Sequence, residues 1–229
     1  MQIALLHALP LDERMWEQQR DALAGHDVVA PRLYGLGQTM DEWAAAVLEQ
    51  VRGPFVPVGA SMGGYCALAI AARAPERLRG LVLAGSRADA DPPERRAARE
   101  ESIATIRAGG AAALWEDMRQ RLFSPSADLT VVGRAQEIAL EQSPAGLEAA
   151  VGAIRDRADL RGVVASLEPP VLVAAGDSDP FLPVEEARAL ADSAPAGTLA
   201  LFEGVGHLPN LEHPSQFNLA LVDFLDSLP

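Results

Sequence analysis

An alternation of short, nearly continuous apolar runs with longer stretches of helical periodicity constrains this chain more than any other feature. Gln2–His7, Asp27–Pro31, Phe55–Gly59, Gly80–Ala84, Val171–Gly176 and Thr198–Phe202 read as strands buried on both faces. Asp41–Val51, Met62–Ala74, Val184–Ser193 and Pro214–Leu228 read as helices; the first opens on an acidic turn, the second is stopped by Pro75, and Pro183 and Pro214 mark the starts of the last two. Strands that alternate with helices make parallel βαβ units, because a parallel connection must cross over the sheet. The expected fold is therefore α/β, a doubly wound and mostly parallel sheet. From Ser86 to Leu167 the alternation lapses into Ala-, Arg- and Glu-rich helical pattern, punctuated by Gly109-Gly110, Ser124-Pro125 and Ser143-Pro144. Three to five helices are expected there, inserted as a cap (86–167) between the core segments 1–85 and 168–229.

Composition narrows the chemistry. The chain has 229 residues and a formal net charge of −13, and all 19 of its basic residues are arginine. Without lysine it can form no Schiff base and no lysine-bearing phosphate loop. An excess of acid disfavours nucleic acid and anionic membrane surfaces as partners. Cys66 alone can form no internal disulfide, and there is no second cysteine for a redox or zinc pair. Met1–Leu9 lacks a cationic leader and reads as a strand, and no run is long enough to span a bilayer. A cytoplasmic protein with no cofactor and no metal is expected. The segment from Arg87 to Arg161 holds 11 of the 19 arginines. Two readings stay open for them: solvated helix faces paired at i,i+4, or a cap that meets an anionic group of a substrate.

One motif carries nucleophilic chemistry. Gly59-Ala60-Ser61-Met62-Gly63 lies where a strand passes directly into a helix. So tight a turn holds the serine in a strained conformation, tolerable only beside residues without side chains, and lifts its hydroxyl to a helix N-terminus. A serine hydroxyl needs a base. His207, in the loop Gly204–Pro209 after the last strand, is better placed than His7, His26 or His213. The base needs an orienting acid. Asp179, in Gly176-Asp177-Ser178-Asp179-Pro180 after a strand, is preferred; Asp177 could cap the same turn, and Asp89 or Asp91 is an alternative. An oxyanion would be met by the N–H groups of Met62 and of Leu9, which Pro10 holds extended.

Together these residues resemble the α/β-hydrolase superfamily in its serine-nucleophile branch, over essentially the whole chain. Leu5–Pro10 is similar to its oxyanion loop, Gly59–Gly64 to its nucleophile elbow, Gly176–Asp179 to its acid motif and Gly206–Pro214 to its histidine loop. The order Ser61, Asp179, His207 is also that of the superfamily. The pattern looks closest to small bacterial esterases and enol-lactonases. The resemblance implies hydrolysis of a small-molecule ester or lactone through an acyl-enzyme; a C–C bond hydrolase, a cofactor-free perhydrolase or a non-catalytic receptor or scaffold is the alternative. It departs from the family in Ala8, where glycine is usual, and in Ala30–Gly37, which lacks the family's Asp and His. The family's first one or two strands also look missing. Trp115, Tyr65 and Leu208 are candidate pocket residues; Trp115, with Met118, Leu122 and Phe123, forms an apolar helical face that could roof the site.

Overall fold

A computed structural model describes residues 1–229. Six strands, β1 (Gln2–Leu6), β2 (Asp27–Val29), β3 (Phe55–Ala60), β4 (Leu81–Ala84), β5 (Val171–Gly176) and β6 (Gly197–Phe202), form one sheet in the order β2-β1-β3-β4-β5-β6. Every neighbouring pair is parallel, so the sheet is wholly rather than mostly so. Strands β3, β4 and β5 are buried along their whole lengths, as expected where helices cover both faces. The chain turns from β1 outward to β2, then returns to add β3 on the other side of β1. Loops at the carboxyl ends of β1 and β3 therefore part in opposite directions and leave a crevice, the usual ligand position in such sheets.

The helix α1 (Met40–Gln50) begins with a capping box: the Thr39 hydroxyl accepts from the Glu42 N–H, while the Glu42 carboxylate accepts from the Thr39 N–H. It packs against α2 (Met62–Arg73), which is buried through most of its length because it crosses the sheet beneath the cap. Cys66 lies within it, wholly buried, and burial pushes its thiol pKa up, so it is a core residue. Trp16 and Trp43 are likewise core.

Four helices separate β4 from β5: α3 (Pro93–Leu122), α4 (Leu129–Leu140), α5 (Pro144–Arg155) and α6 (Arg161–Ser166). A break in α3 falls at Gly110, whose φ of 65° is open to glycine at little cost. It lets the two halves of α3 take different directions over the core. The helices α4 and α5 pack against α3, whereas α6 packs on α2 and, after β5, on α7 (Val184–Ser193). A short turn of helix, α8 (Pro209–Glu212), and α9 (Pro214–Asp226) complete the chain. No helix is long and apolar enough to cross a membrane.

The cap is tied to the loop that follows β1. Asp12, buried in that loop, accepts two hydrogen bonds from the Arg14 guanidinium and one at 2.8 Å from the Gln142 amide at the α4–α5 junction. Arg32 donates to the other end of the same amide. Burial alone would raise the Asp12 pKa; the hydrogen bonds from Arg14 and Gln142 outweigh it and hold the carboxyl below its ordinary value.

Candidate active site

One residue, Ser61, separates β3 from α2, and the turn is as strained as its sequence implies. Ser61 has φ 50° and ψ −112°, and it is the one non-glycine residue of the chain with positive φ. A Cβ at Gly59 would lie 2.4 Å from the Gly63 carbonyl oxygen, and one at Gly63 would lie 2.0 Å from that of Leu6. Those two glycines are therefore required by close backbone approach. The turn is anchored to β4: the Ser61 N–H donates to the Ala84 carbonyl at 2.7 Å, and the Ser86 hydroxyl donates to the Ser61 carbonyl at 3.0 Å.

Three loops converge on the Ser61 hydroxyl. It donates to Nε2 of His207 at 2.7 Å, and Nδ1 of His207 donates to Oδ2 of Asp179 at 2.8 Å. The side chains of His207 and Asp179 are 4% and 0% exposed, so water hardly competes for these bonds. The second carboxylate oxygen of Asp179 accepts from the Phe181 N–H at 2.7 Å, which fixes the orientation of the group. Asp177 is spent elsewhere, accepting from the Gly204 N–H and the Ser178 hydroxyl. Asp89 and Asp91 pair with arginines. Among the other histidines, His213 is exposed and His26 half-buried, and neither approaches Ser61.

The histidine loop is stitched to the cap. The His207 N–H donates to the Leu122 carbonyl, and the Glu212 carboxylate accepts from the N–H groups of Gly206 and Ser124, each at 2.9 Å. Sequence alone carries no hint of this role for Glu212, because its two partners lie in different segments. Phe181 was also missed. Its ring lies 4.7 Å from that of His207, and its position two residues after Asp179 was the available signal.

The backbone N–H groups of Leu9 and Met62 donate to no atom of the chain. Both belong to residues bordering Ser61, one across the crevice and one at the start of α2. A narrow cavity opens over the serine. Leu9, Ser61, Tyr65 and His207 form its floor, and Arg95, Arg99, Met118 and Ile154 line it from the cap. The ring of Tyr65 is held beneath the Arg157 guanidinium at 4.2 Å.

Trp115 and Leu208 do not line this cavity. Trp115 is 1% exposed and packs on Phe123 inside the cap, and Leu208 is wholly buried. Of the apolar face that helical spacing identified, Met118 lines the cavity, whereas Trp115 is turned into the cap's own interior. The arginines fall into two groups. Arg119, Arg121 and Arg134 are half-exposed and pair with acids three or four residues away. Arg87, Arg95 and Arg99 instead line the cavity.

His7 has a structural part. It is fully buried, its Nε2 accepts from the Leu33 N–H at 2.9 Å and its Nδ1 donates to the Ala8 carbonyl. Burial pushes its pKa down from 6.5 to about 4, so the folded ring stays neutral while an unfolded one would take up a proton below 6.5. Stability from this group is full above pH 6.5 and drains away as the pH falls towards 4, by about 2 kcal/mol between pH 6.5 and 4.5. Urea unfolding at the two pH values is expected to show that loss in the wild type and to lack it in His7→Gln. Equal pH dependence in both proteins is the contrary result.

A wholly parallel sheet, a strained serine between strand and helix, and a histidine and aspartate brought to it by later loops define a hydrolase of the α/β type. The profile of the alpha/beta hydrolase family matches residues 3–220, and the chain belongs to that family. It is 29% identical to the pimeloyl-[acyl-carrier protein] methyl ester esterase of Aromatoleum aromaticum over 96% of each chain. Among solved structures it superposes on a thermophilic esterase from Thermogutta terrifontis with a TM-score of 0.93 at 31% identity, covering 99% of this chain and 89% of the other. The enol-lactonase from Burkholderia xenovorans LB400 superposes with a TM-score of 0.82 at 26% identity, covering 99% and 91%.

Proposed function

We propose that this α/β-hydrolase cleaves a carboxylic ester of a small molecule, open or cyclic, through an acyl-enzyme on Ser61. The observation that carries the reading is the continuous hydrogen-bonded line from the Ser61 hydroxyl through His207 to the buried Asp179. Ser61 Oγ attacks the ester carbonyl carbon as its proton passes to Nε2 of His207. Asp179 keeps the other ring nitrogen protonated and stabilises the imidazolium that forms. The N–H groups of Leu9 and Met62, free of partners in the chain, receive the oxyanion, each contributing about 3 kcal/mol to lowering the barrier. His207 then returns the proton to the departing alcohol. Water, deprotonated by the same nitrogen, attacks the acyl carbonyl and releases the acid and Ser61.

The relatives named esterases or lactonase share the fold along nearly the full chain, which supports an ester as the bond cleaved. A fluorophosphonate is expected to label the protein once, on the peptide containing Ser61, and to abolish hydrolysis in proportion. Labelling elsewhere, or none, overturns the reading. Product analysis on a matched set of open esters and lactones then separates the two kinds of bond.

A further inference from the structure

The chain carries a formal charge of −13, yet the cavity over Ser61 is lined by three arginines and by no acidic residue. The acids stand behind the arginines. Asp89 pairs with Arg87 at 2.9 Å and with Arg95 at 2.6 Å. Asp91, whose side chain is 0% exposed, pairs with Arg99 at 3.1 Å and with Arg157 at 2.7 Å. Glu186 pairs with Arg87 from α7. Four guanidinium groups thus face three carboxylates, leaving one positive charge in excess in a partly buried place. Burial would weaken such a cluster, but here each arginine is oriented by a carboxylate.

Two of the arginines keep donors in hand. Arg99 uses only its Nε in a hydrogen bond, and its two terminal nitrogens donate to no protein atom. Arg95 hydrogen-bonds through one terminal nitrogen to Asp89, its other terminal nitrogen lies 3.6 Å from Asp91, and its Nε makes no bond. A guanidinium offers five N–H donors in a planar fork matched to carboxylate and phosphate oxygens. Arg95 and Arg99 lie one turn apart on α3, so they present the unused donors side by side. Exposed arginines such as Arg119 and Arg134 pair with neighbouring acids on their own helices and do not line the cavity over Ser61.

Resting on the ester-hydrolase reading of Ser61, we infer that Arg95 and Arg99, backed by Arg87, form a subsite for an anionic group on the substrate, a carboxylate or phosphate borne by the ester remote from the scissile bond. The excess charge offsets the desolvation of the anion, and the fork orients it so that the ester carbonyl falls on Ser61. Arg157, stacked on Tyr65 and held by Asp91, positions the floor of the same cavity.

The test compares p-nitrophenyl pentanoate with the mono-p-nitrophenyl ester of glutaric acid, close in length and differing in the terminal carboxylate. At low salt the wild type is expected to favour the anionic ester in kcat/KM by about tenfold or more, and the preference to shrink as salt is raised. Arg95→Gln is the variant of choice, because Asp91 keeps Arg99 and Arg157 as partners. It is expected to lower the preference ratio about tenfold through KM, while Arg119→Gln leaves the ratio where it was. Inhibition by free glutarate, compared with inorganic phosphate, tells a carboxylate subsite from a phosphate one, and both should weaken in Arg95→Gln. A wild-type ratio near one, or a ratio unmoved by Arg95→Gln, overturns the subsite even though Ser61-dependent turnover persists. Turnover of both probes that survives Ser61→Ala overturns the underlying reading instead.

Discussion

Ser61→Ala is expected to lower kcat on a small activated ester by about a millionfold, with the protein still folded. The size of the loss follows from what the hydroxyl does. Without Oγ no acyl-enzyme can form, and His207 is left beside a methyl group with no proton to accept. What remains is the contribution of the oxyanion donors and of binding, which in such systems is a factor of about 10³–10⁴ over water. Folding should not suffer. The anchors of the turn are the Ser61 N–H to the Ala84 carbonyl and the Ser86 hydroxyl to the Ser61 carbonyl, and both are backbone contacts of Ser61 that alanine retains. Serine and alanine both carry a Cβ and bear the positive φ alike, so little change in stability is expected beside the collapse of activity. Steady-state turnover and thermal unfolding of the same preparation separate the two effects. Activity within tenfold of the wild type would remove Ser61 from the mechanism.

Asp179→Asn is expected to cost about 10⁴ in kcat with little change in KM. The carboxylate accepts from Nδ1 of His207 and so leaves Nε2 free to take the Ser61 proton. An amide at the same place can turn its NH₂ towards Nδ1, whereupon the ring proton moves to Nε2 and the base is blocked. The amide oxygen can still accept from the Phe181 N–H, so the loop should keep its shape. Asp177→Asn is the control that divides the two candidates of this motif. Its partners are the Gly204 N–H and the Ser178 hydroxyl, so it should lose little activity. A large loss in Asp177→Asn with none in Asp179→Asn would reverse the assignment.

Much of this site was legible beforehand. Apolar runs of strand length placed all six strands within a residue or two; β3, β4 and β5 are buried throughout, as such runs imply, whereas the edge strands β2 and β6 are only partly buried. Gly59 and Gly63 advertised the strained turn, since no other residue tolerates the approach of the Gly63 and Leu6 carbonyls. The cap's helical character was equally plain from composition and punctuation. The choice of Asp179 over Asp177 rested on a weaker sign, the neighbouring Pro180, and agrees with the hydrogen bond to His207.

Other features lay beyond local pattern. Trp115, on an apolar helical face of the cap, and Leu208, beside His207, were candidate pocket residues, yet both are buried and neither lines the cavity. Glu212 showed nothing of its bridge between Gly206 and Ser124.

By itself, then, the order of residues determined the α/β alternation, the tight serine turn, and the succession of the serine, aspartate and histidine that meet by hydrogen bonds. These are matters of neighbouring residues: periodicity sets which face is apolar, and backbone sterics set where only glycine fits. Tertiary structure alone decided which partner each polar side chain meets, and so which of the 11 arginines in the segment from Arg87 to Arg161 turn towards Ser61 and which face solvent. Helical spacing says which residues share a face. What lies opposite that face depends on how α3, broken at Gly110, crosses the sheet, and that is settled by contacts between residues far apart in the chain.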